Sequence, residues 1–213
     1  RKRGRIRVLS SESFGDYYLP HIIIPFSKTY PLVRISMNIL PTEQVVEQTA
    51  TLNNDLGFIS YPVDHKKLLV KEVLEDQLVV ITPPDHALTR FPSLTPRHFK
   101  DQMLIMHETG SAPRRALENY IRKNDLAVDI HLELSSNRAI KRAVADGIGI
   151  ALISRKVANE EIRDKRLCAI PLSDASMTRK FYMVHHKDKY LSESLQNFIE
   201  MVFQWSAEYR RVI

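Results

Sequence analysis

The chain contains 213 residues, 44% of them hydrophobic, so it can bury the core of one large domain or of two smaller ones. Its single cysteine, Cys168, excludes an internal disulfide, and we interpret this thiol as a packed side chain in a protein from a reducing compartment. The net charge of +6 comes mainly from the basic arm at residues 1–7, and the nearly neutral remainder argues against a broad nucleic-acid-binding surface.

The first part of the chain alternates strand patterns with helical patterns. Strands are predicted at residues 5–9, 33–40 and 56–60, and helices at residues 17–30 and 42–52. Thr42 stands where an N-cap is expected, and Pro25 should kink or shorten the helix that contains it unless tertiary packing compensates. Strands that alternate with helices predict a parallel sheet.

A domain boundary is expected after residue 82. Two extended runs lie within residues 68–82, on either side of Asp76, and two prolines follow them. The later elements are predicted in this order: strand 103–106, helix 114–123, strand 130–134, a helix that starts near Asn137, strand 150–153, strand 181–185 and a long helix that starts at Ser192.

The segment SSNRAIKRAVADGIGIALIS, residues 135–154, shares glycines and basic residues with nucleotide-binding loops but has the opposite order. A dinucleotide fingerprint places its glycines after a strand and before a helix, whereas here the helix comes first. Gly147 or Gly149 is therefore predicted to be the left-handed stop of this helix. Arg138, Lys141 and Arg142 are expected on its polar face.

Two parts of the chain repeat one pattern of strand, polar helix cap, helix, glycine and strand. They are VRISMNILPTEQVVEQ with its later LGFIS, and DIHLELSSNRAIKRAV with its later GIALIS. The repeat predicts two lobes that face each other across a cleft, because open α/β sheets bind ligands at the carboxyl ends of their strands.

Polar residues mark four junctions between a strand and a helix. The junctions are residues 10–13, Thr42, Gly110 with Ser111, and residues 135–137. Each junction can present backbone N–H groups and a hydroxyl to a small anion, although for any single junction ordinary helix capping is the better explanation. The presence of four junctions favours an anion site in the cleft.

Two charged or titratable side chains near these junctions allow two interpretations each. His107 ends a predicted strand, where it could donate a hydrogen bond to a ligand or be a solvated loop histidine. Arg114 could bind an anion or be an ordinary residue in the first turn of a helix.

The sequence predicts neither an enzyme nor a metal or cofactor site. It contains no GxSxG elbow, P-loop, HExxH or CxxC pattern. His185 and His186 are adjacent on a predicted strand and so face opposite sides of the sheet. No apolar run approaches the roughly 18 residues of a membrane span, and no hydrophobic region follows the basic arm, so we expect a cytoplasmic protein with no membrane partner.

Several segments together resemble the effector-binding domain of LysR-type transcriptional regulators. They are GRIRVLSSESFGDYYLP, FSKTYPLVRISMNILPTEQV, LLVKEVLEDQLVVITPPDHAL, HETGSAPRRALENYI and SSNRAIKRAVADGIGIALISRKVA. The late segment RKFYMVHHKDKYLSESLQNFIE is similar to the branch that contains regulators of carbon fixation and of sulfur assimilation. The resemblance covers essentially the whole chain.

The resemblance implies an α/β fold with two Rossmann-like lobes of the periplasmic-binding-protein type II kind, joined by two crossover segments. Lobe I would comprise residues 1–82 and 181–213, and lobe II residues 83–180. It also implies a small-molecule effector in the interlobe cleft, dimers of this domain and tetramers of the full-length protein. DNA would be bound only through an N-terminal winged helix-turn-helix domain that this chain lacks, and the basic arm would be what is left of the linker.

The family's effector contacts would fall on six residues here: Ser11, Ser13, Thr42, Gly110, Ser111 and Ser136. His107 and Asn137 complete our set of expected effector-binding residues. The chain departs from the family pattern inside the expected pocket, at Pro41, at Ala112 and Pro113, and at Asn137 and Arg138. These changes leave the effector's identity open, and Arg138 favours an anion.

Two other functions are compatible with the same two-lobed fold. A solute-binding protein of a transport system would require a signal peptide or lipid anchor upstream. An enzyme would require a nucleophile, a base and a group that orients the base, and the sequence shows no such grouping.

Overall fold

The computed structural model describes residues 3–212, so the first two residues of the basic arm lie outside the described residues. The chain forms two compact units: unit 1 comprises Arg1–Glu75 and Lys180–Ile213, and unit 2 comprises Asp76–Arg179. The chain passes between the units within strands, whereas the sequence placed the crossings at residues 82 and 180. Because the strand continues through each unit boundary, no turn residues mark the boundary in the sequence, and sequence patterns could not locate it.

Unit 1 begins with alternating strands and helices. Its elements are β1 (Gly4–Ser10), α1 (Glu12–Tyr17), α2 (Pro20–Thr29), β2 (Val33–Ile39), α3 (Thr42–Ala50), β3 (Leu56–Ile59), the first part of β4 (Leu68–Thr82), most of β9 (Thr178–His186) and α7 (Glu193–Val212). Strand β1 pairs in parallel with both β2 and β3, whereas β3 pairs antiparallel with β9. The sheet is therefore mixed and not purely parallel as the sequence predicted, because β9 arrives from unit 2 and not from a preceding helix of unit 1.

The core of unit 1 lies between its sheet and helices α1, α2 and α7. It contains an aromatic group in which the Phe14 ring centroid lies 4.7 Å from that of Phe58 and 5.3 Å from that of Phe181. Phe198 of α7 packs edge-on against Phe26 of α2. All five rings are fully buried, so each contributes on the order of 2 kcal/mol of hydrophobic stabilisation.

Unit 2 repeats the strand and helix order of unit 1. Its helices and remaining strands are β5 (Met103–His107), α4 (Ala112–Lys123), β6 (Asp129–Leu134), α5 (Asn137–Ala145), β7 (Ala151–Ser154), α6 (Asn159–Arg163) and β8 (Cys168–Pro171). Strand β5 pairs in parallel with β6, and Leu104 forms a parallel bridge to Ile150. The second part of β4 pairs antiparallel with β7 and β8. The order β6–α5–β7 matches β2–α3–β3, which confirms the repeated pattern.

Two glycines fix the join between α5 and β7. Gly147 has φ of +80° and ends α5, as the sequence predicted. Gly149 lies against β5: a Cβ atom there would stand 2.5 Å from the carbonyl oxygen of Met103. Only glycine permits this approach, which lets Ile150 exchange two backbone hydrogen bonds with β5 at 2.8 and 2.9 Å.

Three expectations about single elements are corrected by the structure. The helix predicted at residues 17–30 begins only at Pro20 and contains Pro25 in its interior, and a separate helix that the sequence did not predict covers Glu12–Tyr17. Residues 68–82 form one continuous strand and not two runs. Lys141 does not lie on a solvated face of α5, because its side chain is only 11% exposed. None of the described helices is both long and apolar enough to cross a membrane.

Candidate functional site

A hydroxyl cluster, which we define as Ser11, Thr42 and Ser60, lies in unit 1 at the carboxyl ends of β1 and β3. The Ser60 hydroxyl donates to the Ser11 hydroxyl at 2.6 Å, and the Ser60 backbone N–H donates to Thr42 Oγ1 at 3.3 Å. All three residues are less than 9% exposed. Parallel strands bring these residues together, because the ends of adjacent strands meet at one edge of the sheet.

Thr42 does not cap α3 as the sequence predicted. Pro41 occupies the N-cap position, and Thr42 is the first helical residue. Its hydroxyl oxygen accepts from Ser60 and so links α3 to the end of β3. Each of these hydroxyls can accept and donate at once, so within residues 3–212 the protons of Ser11 and Thr42 are left to donate to a ligand. Ser13 is buried in the first turn of α1.

Two serines of unit 2 cap helices. Ser111 is the N-cap of α4 and accepts from the Arg114 backbone N–H at 3.3 Å. Ser136 is the N-cap of α5 and accepts from the Ala139 backbone N–H at 3.0 Å. Gly110 precedes α4 with φ of +89°. Capping uses the acceptor of each hydroxyl and leaves its proton, so a cap and an anion contact are compatible at the same residue.

His107 and Asn137 form a pair at the carboxyl end of β5. His107 Nε2 lies 2.9 Å from Asn137 Oδ1, which assigns the ring proton to Nε2 because Oδ1 can only accept. Burial lowers the pKa of His107 to about 4; the bond to Asn137 raises the pKa, and the nearby charge of Arg179 lowers it further. His107 is therefore neutral near pH 7. It is neither the solvated loop residue nor, through Nε2, the direct ligand donor that the sequence allowed.

The guanidinium of Arg114 is bound to protein groups. It contacts Glu118 at 2.5 Å and Glu133 at 3.0 Å, and it donates to the His107 carbonyl oxygen at 3.0 Å. The hydrogen bond to Glu118 is the main reason that its pKa is raised. Arg114 thus ties α4 to the ends of β5 and β6, and its charge is already compensated.

An ion pair holds α5 in place behind Ser136 and Asn137. Lys141 Nζ lies 2.6 Å from Glu161 Oε1 and donates to the Val157 carbonyl oxygen at 2.9 Å. Both charged side chains are nearly buried, at 11% and 13% exposed. The start of α5 is therefore fixed from behind by α6 and the turn that precedes it.

Ser60 is the residue that the sequence reasoning missed. It was predicted only as the end of the third strand, yet it connects Ser11 to Thr42. A signal for it existed, because it is a serine directly after a buried strand, in the same relation to β3 as Ser11 to β1. Within residues 3–212, no group of three or more histidine, cysteine, aspartate or glutamate side chains could hold a metal ion.

The two α/β units, each with polar residues at strand ends and helix starts, define a protein of the periplasmic-binding-protein-like class. The chain belongs to the LysR substrate binding domain family, whose model matches residues 1–207. The family resemblance that the sequence indicated is thereby confirmed.

Curated relatives include regulators of carbon fixation and sulfur assimilation, the branch that the late segment predicted. The transcriptional activator CmpR of Synechocystis sp. is 31% identical over 95% of this chain and 66% of its own length. The RuBisCO operon transcriptional regulator of Acidithiobacillus ferrooxidans is 27% identical over 97% of this chain and 67% of its own length. CysL of Bacillus subtilis is 24% identical over 94% of this chain and 67% of its own length. The chain thus spans about two thirds of the length of these transcriptional regulators.

A solved structure supports the same assignment. The regulatory domain of CcmR from Synechocystis PCC6803, in complex with 2-PG, superposes with a TM-score of 0.87 and 28% sequence identity. The superposition covers 96% of this chain and 98% of that chain.

Proposed function

We propose that this chain senses a small oxyanion-bearing metabolite through the hydroxyl cluster of unit 1 and the starts of α4 and α5 in unit 2. The expected contacts are Ser11, Ser13 and Thr42 with Ser60 in unit 1, and Gly110, Ser111, Ser136 and Asn137 in unit 2. His107 does not contact the ligand through Nε2; its hydrogen bond to Asn137 orients the Asn137 side chain toward the ligand. Effector binding would select one of the conformations that the protein can adopt.

The observation that carries this proposal is the hydroxyl cluster. Three buried hydroxyl residues share their hydrogen bonds so that Ser11 and Thr42 keep protons to donate. Burying polar groups costs free energy unless partners satisfy them, so such a cluster is favourable where a ligand accepts the remaining protons.

The charges in unit 2 support an anion bound by neutral donors. His107 is uncharged near pH 7, and the Arg114 guanidinium is bound to two carboxylates. Backbone N–H groups at helix starts and serine hydroxyls then provide the recognition, and both types of group favour an ionised oxygen. The complex of CcmR with 2-PG, a phosphorylated carboxylate, is consistent with this chemistry in a relative.

In the full-length protein, we propose that effector binding controls transcription. DNA would be bound by a segment outside this chain, in a cytoplasmic regulator that forms dimers through this domain and tetramers overall. The relatives' descriptions as transcriptional regulators support this role. They also favour a sensor over an enzyme on the same scaffold.

A ligand-binding measurement on two serine variants tests the proposal. The chain, Ser11→Ala and Ser136→Ala would be titrated with 2-phosphoglycolate, sulfate and phosphate, and the melting temperature and Kd recorded. We expect one of these oxyanions to raise the melting temperature, and each variant to bind it roughly 10- to 100-fold more weakly, because a hydrogen bond to a charged group contributes about 1.5–3 kcal/mol.

The matched control is Ser27→Ala, which removes an exposed hydroxyl from α2. It should bind as the unmodified chain does. Unchanged affinity in both Ser11→Ala and Ser136→Ala, or no stabilisation by any of the three anions, would contradict the proposal.

A further inference from the structure

Unit 2 contains a cavity that none of the candidate effector residues lines. It has a volume of about 490 Å³ and lies between two segments, residues 84–92 and residues 162–171. The first segment includes the single 3-10 turn Ala87–Arg90 that follows β4, and the second runs from the end of α6 through β8. Its volume lies within the range of about 300–1,000 Å³ that is typical of small-molecule sites.

The wall of the cavity is mainly apolar. Its larger side chains are Phe91, Pro92, Ile162, Leu167, Ile170 and Pro171. The ring of Phe91 is only partly exposed, and its centroid lies 4.2 Å from that of His98, which holds the ring in place. The exposed part of this ring and the neighbouring aliphatic side chains form an apolar wall against which an aromatic ligand can pack.

The mouth of the cavity is positively charged. The exposed Lys165 is one of the residues that line the cavity, and the exposed Arg90 guanidinium lies over the Phe91 ring, 4.9 Å from its centroid. Asp164, the acidic residue next to Lys165, is within 3.5 Å of the guanidinium groups of Arg163 and Arg166. Among residues 3–212, no carboxylate lies within ion-pair distance of Lys165 or Arg90.

We propose that this cavity is a second small-molecule site, independent of the effector site, and that it binds an aromatic monocarboxylate. The ring of the ligand packs against Phe91, Ile162 and Ile170. Its carboxylate accepts from the Lys165 ammonium at the mouth. The combination of an apolar wall with an exposed cation distinguishes this ligand from a neutral aromatic compound, which gains no ion pair with Lys165, and from sulfate or phosphate, which would leave the wall in water.

The lone cysteine provides a direct test, because Cys168 lines the cavity and no other thiol of the chain competes for a reagent. The rate at which iodoacetamide alkylates Cys168 would be followed by intact mass, with increasing 3-phenylpropionate or its neutral analogue 3-phenylpropanol. We expect 3-phenylpropionate to slow alkylation saturably, with an apparent Kd roughly tenfold lower than that of the alcohol, because a charge-assisted hydrogen bond is stronger than a neutral one. In ¹⁵N spectra, the shifts should change at residues 84–92 and 162–171.

Three variants locate the bound acid. Lys165→Gln should reduce the apparent affinity for 3-phenylpropionate to that for the alcohol, whereas Lys100→Gln, which removes an exposed lysine elsewhere in unit 2, should have no effect. Ser11→Ala, which weakens the proposed effector site in unit 1, should leave protection of Cys168 unchanged. The proposal is overturned if the acid neither protects Cys168 nor shifts these residues. It is also overturned if acid and alcohol bind equally well to the unmodified chain, or if protection is lost in Ser11→Ala and kept in Lys165→Gln.

Discussion

His107 is neutral in the folded chain near pH 7 and is charged only in strong acid, because burial lowers its pKa to about 4. In an unfolded chain the pKa of histidine is about 6.5. Between these two values the unfolded chain binds a proton that the folded chain does not, so the free energy of unfolding falls as the pH falls. The neutral ring keeps its bond to Asn137 over the physiological range.

We predict that His107 destabilises the fold in mild acid. On lowering the pH from 7.5 to 4.5, the unmodified chain should lose roughly 2 to 3 kcal/mol more unfolding free energy than His107→Gln, because over most of this range the unfolded chain binds a proton at residue 107 and the folded chain does not. Urea denaturation at both pH values measures this difference. A midpoint near 6.5 in an NMR titration of the His107 ring, or identical pH dependence in the two proteins, would show that the ring is not desolvated.

At the scale of residues, sequence reasoning found the polar side chains but not their partners. Residue type and position after a strand were enough to single out Ser11, Thr42 and His107. The link through Ser60 and the bond between His107 and Asn137 join residues far apart in the chain. Such pairs depend on strand register, which a single sequence does not encode locally.

Among the elements, α5 depends on the ion pair between Lys141 and Glu161. The second carboxylate oxygen of Glu161 is buried and has no hydrogen-bond partner among the described residues. Removing Lys141 would therefore leave a buried charge without compensation, which costs more than the pair itself contributes.

We predict that Lys141→Met lowers the unfolding free energy by about 3 kcal/mol, and that adding Glu161→Leu to it restores most of the loss. Urea denaturation of the two single variants and the double variant checks this. Arg142→Met is the matched control in the same helix. It removes an exposed ion pair with Asp146 at 3.7 Å and should cost no more than about 0.5 kcal/mol. Equal losses in Lys141→Met and Arg142→Met would contradict the prediction.

The helices that the sequence predicted least well are those near Pro20 and Pro25. A proline at the first position of a helix is favourable, and α2 begins at Pro20. Pro25 is tolerated because α2 is only ten residues long and loses a single internal bond there. The short elements α6 and β8 were missed altogether, since four or five residues carry too little periodicity to detect.

For the whole molecule, the α/β class and the repeated unit followed from alternating patterns and strand-end glycines. The limits of the units could not be predicted in the same way. Unit 2 is one continuous segment whose terminal residues, Asp76 and Arg179, form a buried ion pair at 3.4 Å. Its core, which includes Phe99, Leu104 and Tyr120, lies entirely within that segment.

We predict that residues 76–179 fold alone. The isolated segment should unfold cooperatively in urea, and its ¹H–¹⁵N spectrum should match that of the same residues in the full chain. Residues 1–75 form the matched comparison and should not fold, because the core of unit 1 requires Phe181 and Phe198 from the last part of the chain. A segment 76–179 without a cooperative transition would show that its ends need the strands of unit 1.

This continuity has a consequence for inheritance. A segment with adjacent ends can be exchanged between genes, duplicated or lost in a single recombination event, and the flanking strands need only be rejoined at two neighbouring points. Unit 1 is assembled from both ends of the chain, so a single recombination event cannot exchange or duplicate it. Homologous genes should therefore recombine near the codons for residues 76 and 179 with less damage than at sites within β1 to β3.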